Sequence, residues 1–211
     1  VIKMREPFNG ISHLLAALAS VVGVIWLLVE GWDEPLRRSS LLIYGLTLFL
    51  MFASSSAYHS ITARPETMLL LKKFDHTAIY LLIAGSYTPI CLHFFQGFWR
   101  WPFLAIIWSL ALAGVMLKLF LIHTPRWITA GLYLMLGWLS VFAFGEILRS
   151  FPPGALIWLV LGGFFFTVGA LVYTFKKPDL VPGRFGFHEL WHIFVILGAF
   201  SHFMLIARFV A

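Results

Sequence analysis

One cysteine, Cys91, stands in 211 residues, so the chain has no internal disulfide and no cysteine-rich metal site. Charge is almost as scarce. Asp, Glu, Lys and Arg make up 11% of the residues, where an ordinary soluble domain has roughly 25%. There is no strand pattern, no low-complexity tract and no internal repeat. The breaks between apolar stretches are too short to hold a second domain. The chain opens on Val rather than Met, which leaves room for residues upstream or an unusual start codon.

Hydrophobic residues fill the space that charge leaves, at 61% of the chain, with a mean hydropathy of +0.91. A water-soluble fold of this size cannot hide so much apolar surface, because its own exterior needs polar cover. Lipid is therefore the solvent for most of the molecule. A helical span needs about 20 apolar residues, and seven stretches meet that length: 10–30, 40–60, 74–95, 101–121, 128–148, 155–175 and 187–209. The sequence predicts an all-α, integral membrane seven-transmembrane-helix bundle forming a single domain over 1–211. Lys3 and Arg5 before Ile11–Val29 imitate a secretory signal, but the apolar run is longer than a signal core and six more follow.

Direction follows from Lys and Arg. Lys3, Arg5, Arg64, Lys72, Lys73, Lys118, Arg126, Lys176, Lys177 and Arg184 fall on the side of the N-terminus. Arg37, Arg38, Arg100, Arg149 and Arg208 fall on the other. The positive-inside rule puts the N-terminus in the cytoplasm and the C-terminus outside. The net charge of +6 is thus spent on orientation, and no nucleic-acid partner is expected. Trp32, Trp99, Trp101, Trp127 and Trp191 near span ends read as interface anchors.

Ionisable groups inside a membrane are expensive, and their placement points to function. His59 closes span two, with Ser55 one turn deeper. Asp75 and His76 open span three. His188, Glu189 and His192 open span seven. The topology brings all of them to one depth on the cytoplasmic side. His188 and His192, spaced i and i+4, project from one helix face about 5–6 Å apart. Two imidazoles at that spacing can share a divalent cation, Zn²⁺ above all, and a catalytic zinc takes a third protein ligand and leaves one position to water. His59 is the best-placed third ligand. Asp75 would then orient or deprotonate the water, and Ser55 would hydrogen-bond to it or to a polarised carbonyl.

The bland reading is that each histidine is a headgroup or helix-packing residue, and it suits the rest better. His93 and His123 are expected at the interfaces, and His202 in a helix–helix hydrogen bond. His13, with Asn9 and Ser12, either supports the site or packs. His76 points away from Asp75 on its helix. His188-Glu189-Leu190-Trp191-His192 also matches the zincin pattern HExxH, in which the Glu is the general base. It lacks the metzincin continuation, and the chain has no Asp-Gly pair of the kind that supplies a ligand in intramembrane site-2-type proteases.

Four segments carry a more specific likeness: Glu6-Pro7-Phe8-Asn9-Gly10-Ile11-Ser12-His13; Ser54-Ser55-Ser56-Ala57-Tyr58-His59-Ser60; Phe74-Asp75-His76-Thr77-Ala78-Ile79-Tyr80; and Phe187 to His192 with Gly198 to Phe203. In their order and spacing the chain resembles the bacterial haemolysin III group of the progestin and adipoQ receptor family, relatives of the adiponectin receptors. The resemblance implies a seven-helix fold in a bacterial inner membrane, with the N-terminus inside. It implies zinc on His59, His188 and His192, with Ser55 and Asp75 beside it, and no ligand role for Glu189. It also implies two divergent functions. Adiponectin receptors are linked to ceramide amide hydrolysis, with membrane lipid as substrate, whereas the bacterial group is named for red-cell lysis. The expected function is a zinc-dependent hydrolase of a lipid amide or ester. The alternative is a pore, toxin or receptor-like sensor with a structural zinc, although few charged residues are available mid-membrane to line a channel. The sequence does not set the oligomeric state.

Overall fold

The structure is a computed structural model that describes residues 4–182 and 185–211. Val1, Ile2 and Lys3 at the start, and Gly183 and Arg184 in the last connection, lie outside the described residues. Among the described residues, seven helical segments are long and apolar enough to cross a membrane. The helices are α1 (Pro7–Glu30), α2 (Pro35–Ser60), α3 (Pro65–Phe94), α4 (Trp101–Phe120), α5 (Arg126–Gly137), α6 (Phe144–Ser150), α7 (Pro153–Phe175) and α8 (Phe187–Phe209). α5 and α6 are two halves of one span.

Five of these helices, α1, α2, α3, α4 and α7, carry proline in their first two positions. There the missing N–H is one that the helix could not have bonded anyway, and the fixed φ is already helical. α8 starts differently. The Glu189 carboxylate turns back to accept the Gly186 N–H at 2.9 Å, satisfying an orphan donor of the first turn.

Two spans differ from the sequence expectation. α3 begins at Pro65 rather than near 74, so Asp75 lies ten residues into the helix instead of at its start. The first turns, with Glu66, Lys72 and Lys73, are helical but too polar for a hydropathy threshold to include them. At 1.5 Å per residue this helix is roughly 45 Å long, more than the ~30 Å of a hydrocarbon core. The fifth span is not one helix. Between α5 and α6 the chain tightens into a 3₁₀ segment, Trp138–Ala143. Tyr87 of α3 holds this break. Its hydroxyl donates to Gly137 O at 2.6 Å and accepts the Ser140 N–H at 2.8 Å. Backbone groups freed inside a membrane need such a partner, since lipid offers none.

Packing is reversed relative to a soluble protein. Apolar residues such as Leu15, Val22, Phe120 and Val160 cover the outside, while Ser20, Thr47, Ser55, Ser56 and Thr77 are buried. Some inward hydroxyls return to their own helices: Ser20 donates to Ala17 O at 2.7 Å and Thr47 to Tyr44 O at 2.8 Å. Small residues let helices approach closely. A methyl group at Gly85 would collide with Thr47, and one at Gly10 with Ser60. Buried Lys118 gives its ammonium to Thr129 Oγ1 at 2.6 Å and to Thr124 Oγ1, pinning the α4–α5 connection.

The order of packing positions the site. α1 lies against α2, α2 against α3 and α3 against α4, while α5 meets α7, α7 meets α8 and α8 returns to α1. α1 is thus the common neighbour of α2 and α8. Its start is fastened to the end of α2 by Glu6 N–H to His59 O at 2.9 Å and by Ser56 Oγ to Gly10 O at 2.9 Å.

Candidate metal centre

His59 comes from the last turn of α2, and His188 and His192 from the first two turns of α8. One nitrogen from each ring lies within 4.8 Å of the other two. The ring centres form a nearly equilateral triangle with sides of 5.1 Å (His59–His188), 4.7 Å (His59–His192) and 5.0 Å (His188–His192). Three imidazoles each aiming a nitrogen at one tetrahedral ion ~2.0–2.1 Å away have ring centres roughly 5 Å apart. The rings therefore fit a metal ion without rearrangement of the helices. His59 and His192 are each 2% exposed, while the His188 side chain is 32% exposed, so the cluster is closed on two sides and open past His188. His192 Nδ1 is buried without a hydrogen-bond partner.

The surroundings come from α1 and the residues before it. Glu6 Oε2 lies 2.8 Å from His59 Nδ1 and 3.4 Å from His188 Nδ1, and Asn9 Nδ2 donates to the same oxygen at 3.0 Å. A carboxylate that accepts a proton from one nitrogen of a metal-binding imidazole orients the ring and frees the other nitrogen for the ion. The two imidazoles, with Asn9, hold the Glu6 carboxyl well below the usual carboxylate range despite its partial burial. Sequence reasoning quoted Glu6 only as part of a motif and missed this role. The available signal was a lone acidic residue just ahead of span one, at the membrane level assigned to the histidines.

Among the expected site residues, the three histidines come together. Ser55 is buried on α2, one turn before His59, and Asp75 is half-buried on α3 outside the three-histidine cluster. His13 is buried with its ring centre 4.0 Å from that of His192 and an edge contact to Phe52, supporting the ligand ring by packing. Glu189 is engaged as the cap of its own helix, with Asn9 Nδ2 at 3.5 Å from its other oxygen. That gives the zincin-like glutamate a structural explanation.

Other polar residues lie elsewhere. His123 is exposed between α4 and α5. His202 packs on Phe166 of α7; its Nε2 has no hydrogen-bond partner. Trp32, Trp101 and Trp127 are exposed near helix ends, as interface anchors would be. Trp191 is a correction: it packs on Tyr173 and lines an internal cavity. Trp99 likewise turns inward, onto Phe103.

The cavity has a volume of about 400 Å³ and lies among α3, the broken fifth span, α7 and α8. Tyr133, Phe166, Trp191, Val195 and His202 are among its walls. Trp138, Val141, Phe144 and Val160 also border it and are exposed on the outside of the bundle, so it opens sideways toward lipid.

A family model described as Haemolysin-III related matches residues 2–203. The chain belongs to the haemolysin III-related family. It is 34% identical over 205 residues to the Hemolysin-3 homolog of Bacillus subtilis (strain 168), covering 94% of this chain and 91% of the relative. It is 32% identical over 210 residues to the Hemolysin-3 of Bacillus cereus, covering 98% and 92%. The Adiponectin receptor protein of Drosophila melanogaster is 25% identical over 222 residues, a match spanning 94% of this chain and 49% of the receptor. This haemolysin III-related chain is a multi-pass membrane protein, and its three clustered histidines can bind a metal.

Proposed function

We propose that the protein is a zinc-dependent membrane hydrolase acting on a lipid amide or ester, ceramidase-like in its chemistry. The single observation that carries the reading is the triangle of His59, His188 and His192, which offers three neutral nitrogen donors and an open side. That donor set suits Zn²⁺ and matches a catalytic site better than a structural one, which is usually closed by four protein ligands. Zinc, when bound there, supplies Lewis acidity and lowers the pKa of a water from 15.7 to about 7.

The chain's own groups do the rest. Glu6 fixes the His59 ring through Nδ1, and His13 backs His192. Asp75 takes the proton of the attacking water, and Ser55 donates a hydrogen bond to the substrate carbonyl oxygen as charge develops on it. The apolar cavity takes the acyl chain, admitted sideways from the bilayer past Trp138 and Val160. With the N-terminus in the cytoplasm, the site faces that side.

The names of the Bacillus relatives favour a second reading, a lytic protein whose metal is structural. The two readings part on one experiment. Purified protein in liposomes is offered lipid amides and esters, with Asp75→Asn beside the wild type. Turnover in the wild type and its loss in a folded Asp75→Asn support the hydrolase. Full activity in Asp75→Asn overturns the mechanism, and dye release from liposomes without any turnover favours the lytic reading.

A further inference from the structure

At the end of the bundle opposite the histidines lies a second cavity, of about 480 Å³. It is walled by the first turn of α2, the end of α3, the Gln96–Arg100 connection and Val210 after α8. From Arg37 to His59, α2 rises roughly 33 Å at 1.5 Å per residue, so a full hydrocarbon thickness separates the two sites. The first cavity is apolar. This one carries Arg37 and Arg100, with Ser40, His93 and Gln96.

The arginines are unevenly satisfied. Arg37 Nη2 pairs with Glu34 Oε2 at 3.2 Å, and Glu34 is the acidic residue among the cavity walls. The Nε of Arg37 and the Nε of Arg100 are both buried without an acceptor. Among the described residues, Arg100 makes no ion pair and lies over no aromatic ring. The other arginines of this side are occupied: Arg38 lies 4.7 Å over Trp32, Arg149 reaches Glu146 at 3.3 Å and Arg208 lies 5.9 Å over Trp158.

Arg100 lines this space with no protein acceptor for its guanidinium among the described residues, and an anionic oxygen there would supply one. α2 and α4 also begin among the cavity walls, and neither has a side-chain cap. The carbonyl ends of α3 and α8 border the same space, so the guanidinium pair is the main source of attraction.

We propose that this cavity binds a phosphate group, on a lipid headgroup of the adjoining leaflet or free in solution. Arg100 is the principal ligand through its planar fork, Arg37 shares the phosphate with Glu34, and Gln96 and His93 stand at the rim. Arginine suits this task because two of its N–H groups meet two phosphate oxygens at once.

The test is calorimetric titration of the full chain in a neutral maltoside detergent. The probes are short-chain phosphatidylglycerol, a phosphate-free diacylglycerol of the same chain length, and inorganic phosphate, against wild type, Arg100→Gln and, as a control from the same face, Arg149→Gln. The expected result is saturable binding of phosphatidylglycerol, at least tenfold weaker in Arg100→Gln and unchanged in Arg149→Gln. Inorganic phosphate binding as tightly as the lipid would assign the site to the free anion, and phosphatidylglycerol alone would assign it to the membrane. Equal binding of the diacylglycerol, no binding of either phosphate source, or equal affinity in wild type and Arg100→Gln would overturn the proposal. Should Arg100→Gln not fold, Arg100→Lys carries the same test. It keeps the charge and loses the Nε–H, and an unchanged affinity in it overturns the site equally.

Discussion

The two ends of this bundle solve the problem of polar groups near a membrane in opposite ways. At the histidine end, residues from three parts of the chain satisfy one another: Glu6 and Asn9 meet His59 and His188 within 2.8–3.4 Å. At the arginine end each cation belongs to its own helix terminus, and among the described residues Arg100 Nε has no acceptor. Neutral nitrogen donors packed around a point suit a cation, and unpaired guanidinium groups around a space suit an anion. Within one small fold the residue type separates two kinds of ligand.

The comparison breaks most sharply at the ligands. A His188→Ala/His192→Ala double variant should lose bound metal altogether, from about one ion per chain, by mass spectrometry of detergent-purified protein. Equal metal in wild type and variant would mean the triangle is only packing. Next in size is Glu6→Gln, which keeps the shape but weakens the acceptor for His59 Nδ1. Outer partners of this kind are worth 10- to 100-fold in metal affinity, and competition with a chelator reads that directly. Glu6 also carries a pH signature. Its carboxyl is held below the usual range in the folded protein. In metal-free protein the stability it contributes is therefore fully present above its unfolded pKa of ~4.3 and is lost as the pH falls below that value. Glu6→Gln should flatten the acid limb of the unfolding curve.

Tyr87→Phe sharpens the comparison by testing a region that belongs to neither end. It leaves Gly137 O and Ser140 N–H without their partner and should cost about 1–3 kcal/mol, seen in thermal unfolding, with metal content unchanged. The smallest effect is expected at Glu189→Gln. Gln serves a capping box nearly as well, so stability should shift by about 0.5 kcal/mol or less, and metal should be retained. Loss of activity on the scale of a missing general base would revive the zincin reading.

Much of this was legible in the sequence, for physical reasons that also explain what was not. Seven apolar runs locate seven spans because lipid demands length and apolarity together. The i, i+4 spacing of His188 and His192 places two imidazoles on one face wherever the helix lies. His59 needed topology in addition, since α2 had to end at the level where α8 begins. The start of α3 was hidden because Pro65 to Lys73 folds as helix without being apolar. The break in the fifth span was hidden because it depends on Tyr87, some fifty residues upstream. Glu6 was overlooked for a similar reason. Its partner is a helix end 53 residues away, and no local pattern announces that meeting.

The closing of the helical ring by α1 against α8 has a consequence for biosynthesis. Asn9 meets His188 across 179 residues of chain, and two of the three histidines lie on α8, which leaves the ribosome after the six spans before it. While six spans are already inserted, the site consists of a single imidazole and a waiting carboxylate. Metal retention therefore reports that α8 has docked, and a chain truncated after α7 should emerge from the membrane empty.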